Sequence, residues 1–197
     1  MIVKSDSFTM PATAQDAWDK RVTPIELTEP RWVRAIEVRP GTVKGRLITH
    51  HANVDIDQVE PDGTVTVGRF MEWAVGKEGE LMRPNTGKLM LPGSRIAWDV
   101  HYASAGEDVT DAVEMGVYFY PDGQEPKYRQ TLLSVGNTPQ DLDIPPNSLV
   151  TTEGFFVLPK AARLESFQPH MHLRGKAQSL EAILPTGQRL MISHVAE

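Results

Sequence analysis

From Trp32 to Val38 the chain alternates, with Trp32, Ile36 and Val38 falling on one side of an extended backbone. A period of two is the mark of a strand with one buried face. Pro40-Gly41 turns the chain into a second predicted strand, Thr42 to Ile56. Further strands are predicted from Thr64 to Phe70 after Pro61-Asp62-Gly63, and from Arg95 to Tyr102 after Met90-Leu91-Pro92-Gly93. Another runs from Ala112 to Tyr120, closed by Pro121-Asp122-Gly123. Ile96, Trp98, Val100 and Tyr102 make one apolar face, and Val113, Met115, Val117 and Phe119 another. Tyr128 to Val135, Val150 to Leu158 and Arg163 to Leu173 also read as strands. Ala177 to Leu184 and Gln188 to His194 make a hairpin across Pro185-Thr186-Gly187. Residues 1 to 30, rich in Thr, Asp and Pro, are expected to be irregular, to lie along a sheet surface and to carry no site.

Many short strands, 15 Gly, 15 Pro and few helix-period segments predict an all-β protein. With 40% hydrophobic residues in 197, the chain can bury a sizeable core. Pro139, Pro145 and Pro146 mark a connector, giving an irregular segment 1–30, a first domain 31–140 and a remainder 141–197. That remainder is too short to close a second β-sandwich of about 100 residues. It is expected to be the beginning of an incomplete second domain, and the chain to be a piece of a longer protein. The net charge of −6, with no basic stripe, gives no support for nucleic-acid binding. No apolar run approaches membrane-spanning length, and Met1 to Asp6 lack the apolar core of a signal peptide. The chain is therefore expected to be cytoplasmic or to derive from a longer precursor.

Chemistry concentrates in the histidines. There is no cysteine, so disulfides, thiolate zinc sites and cysteine nucleophiles are excluded, and any metal must be held by His, Met or carboxylate. Four of the six histidines form two tight pairs, His50-His51 and His170-Met171-His172. On the strand expected here His170 and His172 share a face and can clamp one ion, while Met171 faces the other way. His50 and His51 diverge in a regular strand. They can bind one ion only if a bulge, a strand end or different rotamers re-aim one of them; otherwise His50 is a core histidine beside an exposed His51. His101 lies opposite the apolar face of its strand, either as a ligand oriented by Asp99 or as a surface residue.

In their order, His50-His51, His101-Tyr102 and His170-Met171-His172-Leu173-Arg174-Gly175 resemble the copper type II ascorbate-dependent monooxygenases. That family includes peptidylglycine alpha-hydroxylating monooxygenase and dopamine beta-monooxygenase. The run Trp32 to Gly41 and the run Pro169 to Lys176 look most like its bacterial members. The resemblance covers roughly residues 30 to 197 and implies two jelly-roll β-sandwich domains with one copper each, the second incomplete here. His50, His51 and His101 would then hold the electron-storing copper. His170 and His172 would be two ligands of the oxygen-binding copper, whose third ligand, a methionine, lies further downstream in the family. Met171 and Met191 do not match that methionine, and His194 matches no ligand.

The family's chemistry implies ascorbate as reductant, O2 and a small organic substrate hydroxylated at a C–H bond, in an extracytoplasmic setting. No catalytic side chain beyond the metal ligands is implied, and this chain alone is expected to be inactive. Gln168 stands where the peptide-amidating members place an arginine for the substrate carboxylate, which argues against a glycine-extended peptide. Two other readings are a non-catalytic copper-binding or adhesive β-sandwich and a cupin-like oxygenase. The cupin pattern wants Glu soon after the His-x-His, where Lys176 and Ala177 stand.

Overall fold

A computed structural model describes residues 1–136, 142–171 and 174–196. Among them the chain is nearly all β, with one short helix. The strands are β1 (Ile2–Lys4), β2 (Phe8–Met10), β3 (Ala17–Pro24), β4 (Arg31–Pro40), β5 (Thr49–Val59), β6 (Val65–Ala74), β7 (Glu80–Leu81), β8 (Thr86–Met90), β9 (Arg95–Tyr102), β10 (Val109–Asp111), β11 (Val113–Phe119), β12 (Tyr128–Arg129), β13 (Ala177–Ile183) and β14 (Arg189–Ala196). The helix, α1 (Gly45–Ile48), interrupts the chain just before β5. By its contacts the chain divides into two units, Met1–Ser134 and Val135–Glu197.

Two sheets build the first unit. One has the order β1-β11-β4-β8-β12 with β7 also on β4, the other β3-β9-β5-β6, and β10-β2 form a small third ladder. The alternation read from the sequence packs them, except that in β4 a bulge between Ala35 and Val33 turns Val33, and not Trp32, into the core beside Ile36 and Val38. Ile36 and Val38 of β4 lie opposite Val117 and Met115 of β11, and all four are buried. From the other sheet come Ala52, Val54 and Ile56 of β5 and Ile96, Trp98, Val100 and Tyr102 of β9, in the same hydrophobic cluster. Each large side chain so buried contributes roughly 1.5–3 kcal/mol, so this shared face holds the unit together. The outer faces of β5 and β9 are left mostly to polar residues and to the histidines.

Several expectations are corrected. The first thirty residues supply three strands: β1 pairs with β11, β2 with β10, and β3 runs along the whole of β9. These were illegible because β1 and β2 are only three residues each and β3, at a sheet edge, has mostly exposed residues without strict alternation. The second predicted strand starts at Thr49, since 43–48 form a turn and α1. Tyr128 to Val135 is reduced to the two residues of β12. Neither Val150 to Leu158 nor the described part of Arg163 to Leu173 is a strand. Alternation proposes a strand, but only a neighbouring ladder that takes up its backbone groups makes one. The hairpin does form, β13 antiparallel to β14, with Gly187 at φ +83° in the turn. Among the described residues no helix is long and apolar enough to cross a membrane.

Candidate metal centre

The site is built outward from a buried carboxylate. Asp111, at the end of β10, is 2% exposed. It accepts hydrogen bonds from the backbone N–H groups of Gly41 (3.2 Å) and Thr42 (2.8 Å) and from the Thr42 hydroxyl (2.8 Å). The Thr42 oxygen in turn accepts from the N–H of Gly45 at 2.9 Å, which pins the entry to α1. Gly45 fits only because it lacks a side chain, since a Cβ there would lie 2.2 Å from the Asp111 carboxyl carbon. At the other end of the helix the Thr49 hydroxyl donates to the Gly45 carbonyl at 2.8 Å, so the chain leaves α1 for β5 in a fixed direction.

That exit decides where the adjacent histidines point. Thr49 pairs with Tyr102 and His51 with His101, which leaves His50 as one extra residue in β5, a β-bulge. Thr49 takes the buried position, His50 is exposed and His51 half-buried, and the inward alternation resumes at Ala52. Both histidines therefore belong to the outer side of the sheet, the side that also carries His101. The sequence had left open whether a bulge, a strand end or rotamers would re-aim one of the pair; the bulge does it, and His50 is no core residue.

The rings of His50 and His51 both lie beside that of His101. The centroids of His51 and His101 are 5.1 Å apart, and those of His50 and His101 5.2 Å. Trp18 of β3, opposite His101 in the register, stacks on the His101 ring at 4.5 Å with 8° between the planes, and meets His51 edge-on at 4.9 Å. The indole walls the cluster on one flank while remaining 53% exposed itself. Asp16, just before β3, accepts a hydrogen bond from His101 Nε2 at 3.0 Å. Asp16, His50 and His101 each offer a donor atom, and these atoms all lie within 4.8 Å of one another.

Asp16 was missed in the sequence, because the segment holding it was read as irregular and siteless. Only the pairing of β3 with β9 brings it to His101. Asp99, expected to orient His101, instead lies 3.7 Å from the Lys20 ammonium on the same face, and Asp16 takes the orienting position.

The second histidine pair is placed differently. His170 is exposed and lies outside any strand, and His172 lies outside the described residues. His194 is on β14 opposite Ser179 and is exposed.

No protein-family model matches the chain, and no curated protein matches it. What the cluster can do therefore follows from its donors. Imidazole nitrogens with one carboxylate oxygen suit first-row ions such as copper, zinc, iron or nickel, and hard ions such as calcium poorly. His50 and Asp16 are exposed, so an ion there would be reachable by a small reductant or chelator.

Proposed function

We propose that the chain is a copper protein of the ascorbate-dependent monooxygenase type. In this reading the first unit is a jelly-roll β-sandwich that holds one copper through His50, His51 and His101. The second carries His170 and His172 toward a copper at which O2 and a small organic substrate would meet. The bulge at His50 supports this reading most: a regular strand would send adjacent histidines to opposite faces, and this one sends both to the side of His101. The donors also fit the metal, because neutral imidazoles hold both copper oxidation states without imposing the tetragonal preference of Cu(II). Copper bound there would store a single electron taken from a reductant such as ascorbate. The protein's own part is to hold the three rings on a rigid sheet, with α1 and the Asp111 clamp fixing His50 and the cross-strand pair fixing His51 against His101.

A second reading, a non-catalytic copper-binding module, is favoured by one observation. His170 lies exposed and outside any strand, whereas His101 is set on a strand with a core beneath it. Titration of the full chain with Cu(I) against a competing chelator tests the copper site, with one tight equivalent expected and lost in His50→Ala. No tight equivalent would defeat both readings. Ascorbate-dependent O2 uptake matched by hydroxylated product would decide for the enzyme, and copper binding without turnover for the module.

A further inference from the structure

The three histidines do not account for Asp16. Its side chain is 59% exposed, and its carboxylate is set 3.0 Å from His101 Nε2, among donor atoms that also include His50. Two donors of one first-row ion, each about 2 Å from it, stand about 3 Å from each other. The Asp16 oxygen and the His101 nitrogen already have that separation, so an ion can replace the proton between them with little movement of either chain. Asp16 also reaches the site from a third direction, from the start of β3, while His50 and His51 come from β5 and His101 from β9. Donors converging from three strands can surround an ion on more than one side.

We infer that Asp16 is a ligand of the ion held by this cluster, which makes the donor set imidazole plus carboxylate. The inference rests on the reading of the cluster as a metal site. It changes the chemistry of that site. A carboxylate is a hard, anionic donor and favours Cu(II) and Zn(II) over Cu(I). The site therefore prefers divalent ions, and copper in it is harder to reduce than copper held by the imidazoles alone.

Asp16→Asn separates ligation from positioning. The carboxamide oxygen can still accept the His101 hydrogen bond, yet it is a weak metal ligand. In the full chain, affinities for Cu(II), Zn(II) and, without oxygen, Cu(I) are measured by chelator competition, and the Cu(II) protein is examined by electron paramagnetic resonance. Asp16→Asn is expected to weaken Cu(II) and Zn(II) by about tenfold or more and Cu(I) by no more than about threefold. The Cu(II) spectrum should shift toward that of a nitrogen-only site. Unchanged Cu(II) affinity, or an equal loss for all three ions, would overturn the inference and show Asp16 to be at most an orienting partner of His101. In either case loss of binding in His50→Ala would leave the metal site itself standing. A wild-type chain that binds none of the three ions would overturn the site and the inference together.

Discussion

Two regions of this molecule carry paired histidines, and the pair in the first unit lies on a strand with a core beneath it. In the first unit His50 and His51 sit on a strand whose other face is Ala52, Val54 and Ile56, buried at 5% exposure or less, and whose neighbour β9 is equally buried through Trp98 and Val100. In the second unit none of the described residues is buried, and the described residues before the β13–β14 hairpin, His170 among them, form no strand. Histidine spacing is equally suggestive in the two places. A core beneath the strand is what turns spacing into geometry, because it fixes which side each residue must face.

The sharpest contrast should appear on truncating an apolar residue in each unit. Trp98 is 2% exposed and its indole N–H donates to the Thr23 hydroxyl at 2.9 Å. Trp98→Ala should destabilise the first unit by about 3–5 kcal/mol, as for other buried aromatic truncations. Ile192, on β14 and 46% exposed, should cost less than about 0.5 kcal/mol as Ala. Urea unfolding followed by fluorescence reports the first unit selectively, since all four tryptophans lie in it. A mild effect of Trp98→Ala would mean that the shared core is not what orders the sheet.

Next in size is the effect on copper. His101→Ala removes the ring at the centre of the cluster and should lower affinity for the first equivalent about a hundredfold or more. His170→Ala should leave that equivalent within about threefold, because His170 belongs to the second unit and is exposed, outside any strand. If the two substitutions weaken the first equivalent alike, the difference drawn between the regions fails.

The path from clamp to bulge also explains how much could be read in advance. Arg95 to Tyr102 was legible to the residue, because one face is wholly buried and the period of two is unbroken. The edge strand β3 was not, since its residues are mostly exposed and its pattern is set by its place beside β9. His50, His51 and His101 could be picked out by residue type. The bulge that unites them could not, for it depends on Asp111, some sixty residues beyond it in the chain, holding the entry to α1. Asp16 was invisible for the same reason: an aspartate among Thr and Pro becomes a candidate ligand only through a partner 85 positions away.

Gly45→Ala tests that path directly. Its Cβ would press on the Asp111 carboxylate at 2.2–2.4 Å, so the clamp or α1 must shift, at a cost of about 1–3 kcal/mol typical of overpacking. Since α1 leads into the bulge, copper affinity should fall with it. Gly68→Ala on β6, where a Cβ meets nothing within 4 Å, is the control and should leave both stability and affinity nearly unchanged. Loss of stability in Gly45→Ala with full copper affinity would show that the bulge sets itself independently of the clamp.

The smallest effect compares one type of ion pair in both units. Glu60 accepts from two guanidinium nitrogens of Arg129, at 3.0 and 2.7 Å, which ties β12 back to the turn after β5. The Arg129 hydrogen bonds, helped by Thr66 and Gln58, pull the Glu60 carboxyl down from 4.5 to about 2 against the opposing effect of burial. A carboxyl lowered on folding stabilises fully above its unfolded value and loses that contribution as pH falls through its folded value. The stabilisation should therefore be complete above about pH 4.5, decline below it and be gone beneath about pH 2. Taken at face value such a shift amounts to roughly 3 kcal/mol. Arg129 is 37% exposed, however, and solvent screening brings the expected contribution to about 1 kcal/mol. Arg189 and Glu181 of the hairpin, 3.3 Å apart and more exposed, make the comparison pair and should contribute less than about 0.5 kcal/mol. Arg129→Met should thus lower the first unit's stability by about 1 kcal/mol at pH 7, with the gap from wild type closing between pH 4.5 and 2. Arg189→Met should leave the tryptophan-monitored transition unmoved at every pH. A pH-independent gap for Arg129→Met would assign its effect to the packing of the arginine stem and not to its charge.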